Sequence, residues 1–85
     1  MEIFEYTVRV ENGIHARPAG LLVTHVRTLP CRITVTCGEK KADAHRLISV
    51  MGLGARQGDT LRFHLEGEDE AGCAKSLMAF CREHL

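Results

Sequence analysis

An α+β fold, with one antiparallel sheet open to water on one face and covered by helices on the other, is predicted by three observations. Four segments alternate apolar and polar residues, so each presents one apolar and one polar face. Three further segments space their apolar residues as helices do. The two kinds follow one another as strand, helix, strand, strand, helix, strand, helix, an order that suits a sheet with helices on one side.

The first strand is residues 2–9, with Phe4, Tyr6, Val8 and Val10 on one face and Glu5, Thr7 and Arg9 on the other. Asn12-Gly13 marks a turn. The first helix runs from about 16 to 27, with a stripe at Ala19, Leu22, Val23 and Val26, and Pro30 keeps it from continuing. The second strand covers about 32–37, with Ile33, Val35 and Cys37 inward and Arg32, Thr34 and Thr36 outward. Gly38-Glu39 turns the chain into a short third strand near 40–43. A short helix covers about 46–53 and stops at Gly54; Leu47 and Val50 are expected to face the core. The fourth strand is about 60–66, with Leu61, Phe63 and Leu65 inward and Arg62, His64 and Glu66 outward. The last helix is about 70–84, with Asp69 expected as its N-cap and Ala74, Leu77, Met78 and Cys81 as its stripe.

Eighty-five residues make one domain, 1–85. A chain of this size buries somewhat over about 60% of its unfolded surface, enough for one core and no large catalytic cleft. Lys plus Arg number 11 and so do Asp plus Glu, so there is no basic surface to hold nucleic acid. With no Trp and few other aromatics, a base-stacking platform is also excluded. The acidic, alternating start Met1-Glu2-Ile3-Phe4-Glu5 is neither signal nor transit peptide, and no apolar run approaches the ~20 residues that span a bilayer, so a cytoplasmic protein with no membrane insertion is expected. Cys31, Cys37, Cys73 and Cys81 form no Cys-x-x-Cys pair, and Cys73 and Cys81 lie too far apart on one helix to bridge. All four are expected to be reduced and mostly packed as small apolar residues, with no metal and no cofactor.

The chemistry points to Gly13-Ile14-His15-Ala16-Arg17-Pro18-Ala19. His15 falls near the N-cap of the first helix, with Ala16, Arg17 and Pro18 in the first turn, where proline is tolerated because those N–H groups lack an intrahelical partner. A helix N-terminus offers free N–H groups and a partial positive charge, which suit phosphate. Arg17 adds a fork-shaped cationic donor. The same positive end disfavours imidazolium, and an ordinary histidine, with a pKa of about 6.5, is already mostly neutral at pH 7. A neutral nucleophile beside an oxyanion site is what a phosphohistidine carrier needs. The remaining histidines read as ordinary: His45 and His64 face solvent, His84 is the second residue from the end of the sequence, and His25 stands about 15 Å along the helix from His15, too far for joint chemistry.

The His-Ala-Arg-Pro-Ala core at 15–19 resembles the active-site signature of HPr, the histidine-containing phosphocarrier of the bacterial phosphoenolpyruvate-dependent sugar phosphotransferase system. Leu47-Ile48-Ser49-Val50-Met51-Gly52-Leu53-Gly54 resembles the second signature of that family, and Gln57-Gly58-Asp59 and Gly67-Glu68-Asp69-Glu70 resemble the turns flanking its last strand. The resemblance covers essentially the whole chain and implies an open-faced β-sandwich with strand order 1-4-2-3. It implies that His15 is phosphorylated on Nδ1 by phospho-enzyme I and passes the group to enzyme IIA in sugar uptake, with Arg17 stabilising the phosphoryl group beside the Ala16 and Arg17 N–H groups. It implies a monomer that forms a covalent phosphohistidine rather than an independent turnover enzyme. It also places Gly20, Arg27, Leu47, Ile48 and Met51 on a partner-docking surface, an apolar patch rimmed by Arg17, Arg27 and Arg46. Two departures stand out. Arg46 occupies the position of the regulatory serine of many members, so seryl-phosphate control is expected to be absent, and Gly20 replaces a more usual alanine. Arg46 motivates an alternative, a paralogue serving a nitrogen-related or dedicated regulatory branch. A pure interaction module is disfavoured because His15 and Arg17 are both present, and an independent enzyme because no second convergent polar set exists.

Overall fold

The computed structural model describes residues 1–85. The elements are β1 (Glu2–Thr7), α1 (Ala16–Val26), β2 (Cys31–Cys37), β3 (Lys40–Asp43), α2 (Leu47–Met51), β4 (Thr60–Gly67) and α3 (Glu70–His84). The four strands form one antiparallel sheet in the order β1-β4-β2-β3. All seven expected elements are present, with ends shifted by two residues at most.

The register explains the two faces. Phe4, Phe63 and Val35 stand in one cross-strand row, and the rings of Phe4 and Phe63 stack at 5.0 Å. Ile33, Val35, Leu61, Phe63 and Leu65 are buried beneath the helices. The opposite face is polar: Glu5, Arg62, Thr36 and Lys41 form one row and Thr7 and Thr60 another. Burial on one face holds the register, because a one-residue slip would turn every core side chain to water.

From α1 the buried set is Pro18, Ala19, Leu22, Val23 and Val26. From α3 it is Cys73, Ala74, Leu77, Phe80 and Cys81. Met78 is only half-buried and lies under Arg82, whose Nη2 donates to Met78 Sδ at 3.5 Å. The stripe of α3 is therefore rotated toward Cys73 and Phe80 from the expected one. Asp69 does stand at the N-cap, but its side chain caps nothing. It adopts a left-handed backbone (φ 54°), and its carboxylate folds over Gly72, where a Cβ would overlap it. The Glu70 carboxylate instead accepts the Gly67 N–H at 3.0 Å. In α2 only Val50 is buried; Leu47, expected to face the core, is 38% exposed. A five-residue helix makes little more than one turn, so it has one inward position rather than two.

Two stability predictions arise here. The Tyr6 hydroxyl is buried with no hydrogen-bond partner. An unsatisfied buried hydroxyl costs free energy, so Tyr6→Phe should leave stability unchanged or raise it by about 1 kcal/mol in a denaturant titration. Gly20 lies inside α1 with no atom within 4 Å of where a Cβ would sit. Gly20→Ala should therefore gain most of the helix-propensity difference, about 0.5–1 kcal/mol, and raise the thermal midpoint by about 3 °C or more.

Candidate phosphohistidine site

The site begins where β1 stops pairing. Beyond Thr7, the Val8 N–H donates to Asp59 O at 2.9 Å, and the Arg9 and Val10 N–H groups donate to Leu85 O at 2.7 and 3.0 Å. The chain then reverses: the Gly13 N–H donates to Val10 O at 3.1 Å, with Asn12 and Gly13 both at φ 69°. Two successive left-handed residues are the geometry that Asn-Gly supplies most readily. Gly13 is needed for space as well, since a Cβ there would overlap the Ala55 carbonyl oxygen and stand 2.7 Å from Arg56 Cα. This close approach lets the Ile14 N–H donate to Ala55 O at 2.9 Å, while the Ile14 side chain is buried.

His15 follows as the N-cap of α1, in extended backbone (φ −95°, ψ −166°). Its carbonyl accepts the Ala19 N–H at 3.0 Å, but its side chain makes no cap bond, so the exposed imidazole is free for chemistry. The N–H groups of Ala16 and Arg17 donate to no acceptor in the chain, and Pro18 has none to donate. Pro18 and Ala19 are buried, which anchors the first turn. Arg17 is exposed and makes neither ion pair nor hydrogen bond within the chain. A nucleophile, two unspent N–H groups and an unpaired guanidinium are thus brought to one helix end. They open onto a shallow cleft of about 450 Å³ that also takes in Glu11, Leu21 and His84. A larger hollow of about 670 Å³ beside β3, lined by Arg32, Thr34 and Asp43, contains none of these groups.

No local pattern in the sequence marks Glu11 and His84 as neighbours of His15. His84 reaches the cleft because the end of α3 lies against the segment after β1, and its ring rests on Phe80 at 4.7 Å. Only the packing of the end of α3 against residues 9 and 10 could reveal that. His25 also stacks on Phe80, at 4.8 Å, and meets Ser76 Oγ through Nε2 at 3.1 Å, a packing role. His45 bonds Asp43: its backbone N–H and its ring both reach Asp43 Oδ1 at 2.9 Å, and these bonds hold the Asp43 carboxyl below its ordinary range. His64 lies on the open face of the sheet.

The expected docking residues fall on α1 and α2, which pack together. Ile48 is 79% exposed and Met51 37%, and with Leu47 they form an apolar surface on α2. Gly20 is half-buried on α1. Arg27 is committed elsewhere: its Nε and Nη2 both donate to the His45 carbonyl, at 3.1 and 2.9 Å. Arg46 is the N-cap of α2 without a side-chain cap bond, and its Nε stands 3.7 Å from Asp43 Oδ2. Ser49 is half-buried and lines the hollow beside β3, away from His15.

Residues 3–83 match the family model described as the PTS HPr component phosphorylation site. The chain belongs to the HPr family. The phosphocarrier protein HPr of Lysinibacillus sphaericus is 36% identical over 83 residues, which are 98% of this chain and 94% of that protein. The multiphosphoryl transfer protein of Xanthomonas campestris is 36% identical over 78 residues, 92% of this chain, but the match spans only 9% of its length. Among solved structures, HPr-C-His from Thermoanaerobacter tengcongensis superposes with a TM-score of 0.91 at 30% identity, covering 99% of this chain and 94% of that one. Its HPr fold, the open-faced sandwich with strand order 1-4-2-3, is the one observed.

Proposed function

We propose that this HPr-family chain carries a phosphoryl group on His15 Nδ1, taken from phospho-enzyme I and passed to enzyme IIA domains in bacterial sugar uptake. The observation that supports it is an exposed imidazole left out of capping, above two unspent N–H groups and a free guanidinium. The Nδ1 lone pair attacks phosphorus, the bond from phosphorus to the donor breaks, and the donor keeps that electron pair. The Ala16 and Arg17 N–H groups and the Arg17 guanidinium meet the phosphoryl oxygens, and the reverse exchange delivers the group to the acceptor. Such a carrier works as a monomer in the cytoplasm, and no helix here is long and apolar enough to cross a membrane. The test is intact mass after incubation with phosphoenolpyruvate and enzyme I, with and without brief acid treatment. One acid-labile phosphate per chain is expected; an unchanged mass, with the enzyme I active on another carrier, rejects the assignment.

Partners dock on the exposed face of α2, with Gly20 and the cationic rim of Arg17 and Arg46 beside it; Arg27 braces α1 against residue 45. Ile48→Glu places a charge at the most exposed apolar position of that face. It should weaken partner binding about tenfold, the equivalent of about 1.4 kcal/mol, with an unchanged melting midpoint; titration calorimetry against enzyme I measures it.

Arg46 favours a second reading, a paralogue serving a nitrogen-related or dedicated regulatory branch. It stands at the N-cap of α2, where a serine would be suited both to cap and to be phosphorylated. On either reading, seryl phosphorylation by an HPr kinase is not expected. Ready transfer to several sugar-specific acceptors supports the first reading and counts against the second.

A further inference from the structure

We propose that Cys31 and Cys73 form a modification site, a buried thiol pair that takes one intramolecular disulfide from a small disulfide oxidant of the glutathione class. Cys31 opens β2 and stands opposite Gly67, the last residue of β4. Gly67 takes a backbone at φ 133° that suits glycine and lies in ordinary contact distance of Cys31. The chain then turns through Glu68 and left-handed Asp69 into α3 and brings Cys73 back over the start of β2. Both thiols donate to the same acceptor, the Glu68 carbonyl, Cys31 Sγ at 3.0 Å and Cys73 Sγ at 3.7 Å. Two side chains separated by the length of the β2–β4 unit thus converge on one oxygen.

The other cysteines are not placed to compete. Cys37 is six residues along the same strand, about 20 Å from Cys31, and Cys81 is eight residues along α3, about 12 Å from Cys73. No cluster of three His, Cys, Asp or Glu side chains suited to a metal exists, so the pair is not part of a metal site.

Reactivity follows from burial. Cys31 is 3% and Cys73 2% exposed. Burial, and then the adjacent Cys73 thiol, push the Cys31 thiol up to about 12. The thiolate is the reacting form, so oxidation proceeds slowly, when the turn at 67–69 opens. One thiolate then attacks a sulfur of oxidised glutathione and expels one glutathione thiolate. The second thiolate attacks the protein sulfur of that mixed disulfide and expels the other. The chain loses two protons and two electrons, and the oxidant becomes two glutathione thiols.

The test is to equilibrate the full chain with oxidised glutathione at pH 8, quench in acid, and map the products by mass. Expected are a chain two hydrogens lighter, apart from any glutathione held on Cys37, and one linked peptide pair joining residues 31 and 73. Because the bridge closes a loop of roughly 40 residues, the thermal midpoint should rise by about 10 °C or more and fall back with a reducing agent. Cys73→Ser keeps a donor near the Glu68 carbonyl but should show no rise. Glutathione retained on Cys31 or Cys73, a bridge from either to another cysteine, both thiols still free at equilibrium, or a rise that persists in Cys73→Ser would each overturn the proposal. The peptide map of the unmutated chain decides the matter even if the variant does not fold.

Discussion

Replacing His15 by alanine is expected to abolish phosphoryl acceptance and leave the fold unchanged. The His15 side chain makes no hydrogen bond within the chain and is exposed, so its loss creates neither cavity nor orphaned partner. An N-cap usually costs about 1 kcal/mol when replaced by alanine because its side chain caps the helix; here there is no cap bond to lose, and the backbone carbonyl still accepts the Ala19 N–H. The melting midpoint should move by no more than a few degrees. Chemistry should vanish altogether, because no second nucleophile sits above the first turn of α1. His84 shares the cleft, but it rides on Phe80 at the end of α3 rather than above the free N–H groups. Intact mass after exposure to phosphoenolpyruvate and enzyme I, beside a melting curve, checks both halves. Residual acid-labile phosphate on the variant would contradict the assignment of His15.

Gly13→Ala should have the largest effect on stability, and it should act on the same site from below. At φ 69° an alanine pays about 1–2 kcal/mol for the left-handed backbone. Its Cβ would also overlap the Ala55 carbonyl oxygen and crowd Arg56 Cα, both of them backbone atoms that cannot rotate away. Relief requires the 13–15 segment to lift from the 55–56 loop, which breaks the Ile14 N–H to Ala55 O bond and exposes Ile14. The sum is about 3–5 kcal/mol, a large part of the stability of a small domain. Gly54→Ala is the control: Gly54 has φ 61° but no atom within 4 Å of a Cβ, so it should lose only the backbone contribution, about 1 kcal/mol. Denaturant titrations of the two variants separate the terms, and equal losses would show that the contact with Ala55 is unimportant.

The site was legible because its signals are local. Asn12-Gly13, Pro18 and the apolar stripe from Ala19 to Val26 each constrain their own few residues, and together they place His15 at a helix start. Strand alternation was equally local, and it predicted which face of each strand is wet. The side chains of short helices were less legible: with one turn in α2, period alone could not show that Leu47 points outward. Asp69 resembles a capping residue, but the left-handed turn that follows β4 aims its carboxylate at Gly72 instead.

By itself, then, the sequence determined the kind and order of the elements, the two-faced sheet and the placement of His15 at the start of α1, since hydrophobic period and turn chemistry act within a few residues. The tertiary structure alone decided that His84 meets the cleft of His15, that Arg27 spends its guanidinium on the His45 carbonyl, and that the thiols of Cys31 and Cys73 share one oxygen. Those pairs join segments far apart in the chain. They meet only because strand order and helix packing bring them together, and no local pattern records that order.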